Sequence, residues 1–357
     1  MRKVLILAGE ESGLIYARRL AAQLPGCEIR GYADYGFRTE DLAVIGIWAV
    51  LRRFAYFLRV ARTMKRAIDE WRPDAVCTID YPGMNLRLAA YARQRGVRTV
   101  HVVCPQVWAW KKGRIPKIES SVDRLCCFFP FEPQLFKPGF AVFVGHPLAE
   151  SYPEAAYRPC RTSSPLLALL PGSRLGEIRR NLPVMLAAAE RLPAGVRLAI
   201  PAANARALEL LRELAPGVEL LSGGARDLLL RADAAVVASG TATLEAVLAG
   251  CPTVLVYRVS ALLAAVARMV ITGVKHLGLA NIVWEKAGGE GEAPMLELLQ
   301  EDFTAEKVEA AVRPLLAETP ERAAAAARQA AAVRPLRTGG DAVARIAAEV
   351  LAEGRAS

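Results

Sequence analysis

Short apolar runs separated by stretches of helical periodicity organise this chain. In the first half the strand-length runs are 4–8, 74–79, 98–103, 125–129 and 141–144, and a Gly-containing turn and a helix through Leu24 follow the first. Strands spaced by helix-length segments need crossover connections, and right-handed crossovers give a parallel sheet covered on both faces. From 151 to 165 the pattern lapses into Tyr, Pro, Arg and Ser and reads as a linker. Alternation then restarts at 166–170, 196–200, 234–238 and 252–257. The expected fold is α/β: two doubly wound, Rossmann-like domains, 1–155 and 160–330, facing across a ligand cleft at the carboxyl ends of their strands. The Ala runs 323–327 and 330–332 favour helix, and a helical tail, 331–357, is expected to pack across the domain boundary.

A length of 357 residues suits about two domains. With 53% hydrophobic and 23% charged residues the chain is composed as a folded protein. No uncharged apolar run reaches the ~18 residues of a membrane-spanning helix. The run 4–7 is short for a secretory signal, so a cytoplasmic location is expected. The seven cysteines are odd in number and lack a Cys-x-x-Cys spacing, which favours free buried thiols over disulfides or zinc. The three histidines are scattered, and neither a metal nor a cofactor is expected. Lys and Arg total 46 against 36 Asp and Glu, a net charge of +10 that favours anionic partners. Joined to a mean hydropathy of +0.23, that charge points to a membrane surface rather than to nucleic acid.

Four strand-to-helix loops offer unpaired N–H groups at the positive end of a helix dipole, where anions bind. Gly9-Glu10-Glu11-Ser12-Gly13 is not a dinucleotide fingerprint; its carboxylates suit sugar hydroxyls better than phosphate, and plain turn chemistry is the alternative. Leu170-Pro171-Gly172-Ser173-Arg174 supplies close backbone approach, a hydroxyl and a planar guanidinium, or else a cap followed by a surface Arg. Ala238-Ser239-Gly240-Thr241-Ala242-Thr243-Leu244-Glu245 crowds hydroxyls at a helix start. A diphosphate over its amides with a ribose at Glu245 would use every group, whereas simple capping would leave Glu245 exposed. In Thr78-Ile79-Asp80-Tyr81-Pro82-Gly83-Met84-Asn85, Asp80 stands just past a buried strand end. Partial desolvation there would raise its pKa toward that of a general base; alternatively it caps the next helix. No Asp-x-Asp pair is present to hold a metal, so diphosphate charge would fall to Arg174 and helix N-termini.

Between Gly46 and Ala67 there are six basic residues and no acidic one. Ile47, Val50, Leu51, Phe54, Phe57, Leu58 and Ala61 fall on one helical face. Arg52, Arg53, Arg59, Arg62 and Arg66 flank it, with Trp48 among them and Tyr56 opposite. Such a helix suits an anionic membrane interface or a lipid ligand, or is a core helix with a solvated face. Residues 260–276 form a second apolar, basic segment.

In order along the chain, the first loop, Ile79-Asp80-Tyr81-Pro82-Gly83-Met84-Asn85, Gln106-Val107-Trp108-Ala109-Trp110, Phe129-Pro130-Phe131-Glu132 and Val144-Gly145-His146-Pro147-Leu148 form a recognisable series. Leu169-Leu170-Pro171-Gly172-Ser173-Arg174, the Ser239-Gly240-Thr241 block through Glu245, and Tyr257-Arg258 continue it. With these blocks the chain resembles the lipid-A-disaccharide synthases, inverting glycosyltransferases of the two-domain GT-B fold. The resemblance implies transfer of 2,3-diacylglucosamine from its UDP derivative to the 6-hydroxyl of 2,3-diacylglucosamine 1-phosphate, without a metal, at the cytoplasmic face of the inner membrane. It implies Asp80 as the base that deprotonates the acceptor. Glu10, Ser12, Gly13, Arg174, Ser239, Gly240, Thr241, Glu245 and Asn281 fall to substrate binding. Trp48, Leu51, Phe54, Phe57 and Leu58 fall to the membrane or the acyl chains. A homodimer is among the assemblies left open.

The chain departs from the family pattern at Leu14 and Gly83, where Asp is usual, at Cys104-Pro105-Gln106, where Ser-Pro-Ser is usual, and at Ala280, where Pro is usual. These changes fall on the acceptor half or near the sugar. The competing readings are a UDP-sugar transferase with another acceptor, a UDP-sugar epimerase, and a degenerate nucleotide-sugar or lipid-binding protein.

Overall fold

The computed structural model describes residues 1–9, 11–37, 54–154, 158–160, 163–260, 264, 269 and 272–353. The chain divides into two compact units, Met1–Pro147 with Thr338–Ser357, and Leu148–Arg337. The first holds β1 (Lys3–Ala8), β2 (Glu28–Gly31), β3 (Ala75–Ile79), β4 (Arg98–Val102), β5 (Arg124–Cys127) and β6 (Ala141–Phe143), all parallel in the order β2-β1-β3-β4-β5-β6. Helices α1 (Glu11–Ala22), α2 (Phe54–Trp71) and α3 (Pro82–Arg93) belong to its crossovers. β1 from Val4 onward, and β3 apart from the buried Thr78, read as apolar runs because a parallel sheet covered on both faces leaves neither side of a strand in water.

The second unit repeats the plan with β7 (Leu166–Leu170), β8 (Arg197–Ala202), β9 (Glu219–Ser222), β10 (Ala234–Ala238), β11 (Thr253–Tyr257) and β12 (Glu297–Leu299), in the order β12-β11-β10-β7-β8-β9. Its helices include α4 (Leu175–Ala189), α5 (Thr241–Leu248), α6 (Leu279–Lys286) and α7 (Pro320–Val333). β2, β9 and β12, which the apolar pattern does not announce, all lie at sheet edges, where half-exposed strands need no apolar run. The tail ends in α8 (Ala342–Leu351), capped by Asp341, whose Oδ1 accepts from the Val343 N–H at 2.8 Å. Its Val343, Ile346, Ala347 and Val350 join Val4, Ile6, Cys77 and Val100 in the core of the first unit. Burying a Val or Ile side chain contributes about 1.5–3 kcal/mol, so this stripe explains where the tail docks.

The core-facing stripe of α2 is Val60, Met64, Ala67, Ile68 and Trp71, rotated by one position from the face expected through Phe57, Leu58 and Ala61. Tyr56, expected opposite, packs inward against Phe37 at 6.0 Å and against Phe57 at 5.8 Å, while Leu58 is 38% exposed. Trp48, Leu51 and the side chain of Phe54 lie outside the described residues. Among the described residues no helix is long and apolar enough to cross a membrane.

Candidate active site

In the first unit, Ala8 of β1 pairs with Ile79 of β3, so the loops leaving these strands are neighbours. Gly13, buried in the first turn of α1, lies against Ala8 and Ile79. A Cβ at Gly9 would fall 2.5 Å from the side chain of Tyr81, so close stacking of the two loops requires glycine there. Asp80 and Tyr81 both hold left-handed backbone, φ 51° and 49°. L-residues adopt this at about 1–2 kcal/mol each. Val103, just beyond β4, has φ 75°, and the Asp80 N–H donates to the neighbouring Val102 carbonyl at 2.9 Å. Strain is thus concentrated at the carboxyl ends of β3 and β4.

That strained turn presents Asp80. Its carboxyl group is half-buried, and desolvation raises its pKa, opposed by the Tyr81 N–H donating to Oδ1 at 2.8 Å. Asp80 is not the helix cap, because Tyr81 takes that position ahead of Pro82 without a side-chain capping bond. Glu10 and the side chain of Ser12 lie outside the described residues. Leu14 packs against the core of this unit.

The second unit carries a cavity of about 480 Å³ lined by Gly172, Ser173, Arg174, Ser239, Gly240, Thr241 and Glu245. Adjacency of β7 and β10, with Leu170 opposite Val237, brings these two loops together. Gly172 has φ 120°, and the carboxylate of Glu177 sits 2.6 Å from where its Cβ would be. Arg174 pairs with that carboxylate at 2.9 Å while remaining 66% exposed. α5 starts at Gly240 with no side-chain cap, so the positive end of its dipole opens on the cavity. Glu245 accepts from the Tyr152 hydroxyl at 3.3 Å, and burial raises its pKa. Tyr152 in turn carries the Arg226 guanidinium 5.4 Å from its ring.

Glu177, Tyr152 and the cavity-lining pair Gly223-Gly224 escaped the sequence reading. The Gly-Gly pair was the available signal, but it follows β9, an edge strand that the apolar pattern hides. Asn281, by contrast, does not line this cavity. It is fully buried, its Nδ2 donating to Met295 O at 2.7 Å and Glu297 Oε1 at 2.8 Å, and its Oδ1 accepting from the Met295 N–H at 2.9 Å. Its carboxamide is spent on closing a loop.

Cys104, Cys127 and Glu132 bring potential ligand atoms within 4.8 Å of one another in the core of the first unit. Both Glu132 oxygens already accept N–H bonds, from Trp108 and Phe129 at 3.0 Å each, and burial pushes the Cys127 thiol up. These are the features of a neutral core rather than of an anionic ligand set.

A family model described as lipid-A-disaccharide synthetase matches residues 4–349. The chain belongs to the lipid-A-disaccharide synthase family. Members of this family are glycosyltransferases of lipid A biosynthesis. The lipid-A-disaccharide synthase of Syntrophus aciditrophicus (strain SB) is 37% identical over 351 residues, covering 90% of each chain. MurG of Acinetobacter baumannii superposes with a TM-score of 0.60 at 14% identity, over 98% of this chain and 99% of that one. The calicheamicin glycosyltransferase CalG4 gives 0.59 at 17% identity, over 98% of both. The fold is GT-B, with two Rossmann-like domains.

Proposed function

We propose that the chain moves 2,3-diacylglucosamine from its UDP derivative to the 6-hydroxyl of 2,3-diacylglucosamine 1-phosphate, giving a β-1,6 disaccharide 1-phosphate and UDP. Asp80 carries the reading: a half-buried carboxylate of raised pKa on a strained turn at a strand's carboxyl end suits a general base. It takes the acceptor's hydroxyl proton as that oxygen attacks C1 of the donor sugar. The C1–O bond to the diphosphate breaks, its electrons leave with UDP, and attack from the opposite face inverts the anomeric carbon. Arg174 and the start of α5 meet the diphosphate charge, with Ser239, Gly240 and Thr241 beside it, and Glu245 takes the ribose hydroxyls. No step draws on a metal.

The basic stretch 46–67 supports a place on an anionic membrane face, the cytoplasmic side of the inner membrane, where a lipid acceptor resides; Arg59 and Arg62 stand exposed on α2. The test is direct. The protein is incubated with both diacylglucosamine substrates and the products are analysed by mass and by anomeric proton coupling. A β-linked disaccharide phosphate with stoichiometric UDP, formed equally in chelator, is expected. Free sugar, an epimerised donor or no product refutes the assignment.

A further inference from the structure

Asn85, in the first turns of α3, is fully buried. Its Nδ2 lies within hydrogen-bond reach of three main-chain carbonyls: Leu7 and Ile79 at 3.1 Å each and Asp80 at 2.8 Å. Its Oδ1 accepts from the hydroxyl of Tyr32 at 2.8 Å, and Tyr32 is itself buried. The three carbonyls come from the ends of β1 and β3 and from the turn that carries Asp80. Where the chain swings left-handed at Asp80 and Tyr81 it abandons the ladder, and the carbonyls it exposes need donors that the sheet cannot supply. A carboxamide has two donor hydrogens and one oxygen; only with the nitrogen facing the carbonyls are both ends satisfied, and the Tyr32 hydroxyl selects that orientation.

From this geometry we propose that Asn85, oriented by Tyr32, is a positioning residue that clamps the strained turn and so aims the Asp80 carboxylate at the acceptor hydroxyl. The inference rests on Asp80 being the base. Asn85 touches main-chain carbonyls and the Tyr32 hydroxyl; its effect on the reaction passes through Asp80. A residue that merely stabilised the sheet would lower the amount of folded enzyme, or every rate equally, without regard to what stands at position 80.

The experiment is a double-mutant cycle on turnover of the two diacylglucosamine substrates, using Asn85→Ala, Tyr32→Phe, Asp80→Asn and each of the first two combined with Asp80→Asn. Asn85→Ala is expected to lower kcat about 100-fold, the effect of a roughly 1 Å misplacement, with each KM within about twofold of wild type. Tyr32→Phe keeps the ring and removes the hydroxyl. It is expected to lower kcat about fivefold, as for one hydrogen bond, and remains readable should Asn85→Ala fail to fold. Neither change should lower the residual rate of Asp80→Asn further. Equal losses in the wild-type and Asp80→Asn backgrounds, unchanged kcat in both single variants, or a loss confined to KM would overturn the clamp and leave the base standing. Near-normal turnover by Asp80→Asn alone would overturn the base, and the clamp with it.

Discussion

The indole Nε1 of Trp108 donates to the buried carboxyl of Glu132 at 3.0 Å, joining two sequence blocks that lie 24 residues apart. The Trp108 ring also stands edge-on to Phe131 at 5.7 Å and Phe129 at 6.3 Å, while Phe129 and Phe131 stack on each other at 5.7 Å. The Trp-Ala-Trp and Phe-Pro-Phe-Glu motifs are therefore one packed object, built to hold loops beyond β4 and β5.

Burial pushes the Glu132 pKa from an ordinary 4.5 up to about 8. Between those values the folded protein keeps a proton that the unfolded chain has lost. The contribution of Glu132 to stability is therefore fully present below about 4.5 and is lost as pH rises through about 8, by at most about 1.4 kcal/mol per pH unit. Relative to Glu132→Gln, which binds no proton, wild type should lose stability over this window in denaturant titrations. A pH-independent difference would mean that the carboxyl ionises there without penalty.

Asp80→Asn keeps the shape of the turn and removes the proposed base. Turnover should fall by about 10²–10⁴-fold while UDP still binds, because the proposed nucleotide contacts lie in the other unit. Calorimetric UDP affinity and single-turnover rates separate the two effects.

Arg174 and Glu177 make opposed predictions. Arg174→Ala removes the proposed charge-assisted contact and should weaken UDP about tenfold. Glu177→Gln releases Arg174 from its pair and should tighten UDP a few-fold, since a pair whose Arg174 end is open to solvent costs about 0–1 kcal/mol to break. Equal affinities across wild type and both variants would remove the pair from the phosphate site.

Glycine positions offer a control on geometry. Gly172→Ala would force a Cβ into Glu177 at 2.6 Å on backbone of φ 120°, and should cost about 1–3 kcal/mol and most UDP binding. At Gly83 nothing lies within 4 Å of an added Cβ. Gly83→Asp, in the first turn of α3, should therefore be neutral or stabilising by about 0.3–1 kcal/mol. Thermal melts of the two proteins settle the contrast.

Arg59→Glu with Arg62→Glu should abolish flotation with anionic vesicles and leave melting temperature within a few degrees, both side chains being exposed. Leu58→Asp should act in the same direction. Undiminished flotation of the charge-reversed protein would move the membrane contact elsewhere.

The sequence by itself determined the parallel strands of both sheet interiors, the two nucleotide-fold units, the loops that hold Asp80 and Arg174, and the helix start that carries Glu245. Strands buried on both faces must be apolar, and a ligand-facing loop must follow them, so local composition carries that information. Only tertiary structure decided the rest. The edge strands β2, β9 and β12 owe their state to a neighbour rather than to their own residues. The inward face of α2 was set by Tyr32, Phe37 and the sheet it packs on, one position away from the most apolar stripe. Asn281 looked like a ligand residue and is hydrogen-bonded to Met295 and Glu297, whereas Asn85, read only as the end of the Asp80 loop block, holds three carbonyls. An amide side chain reads alike in either role. Which one it plays depends on the polar groups that the fold leaves unpaired beside it, and those belong to segments distant in sequence.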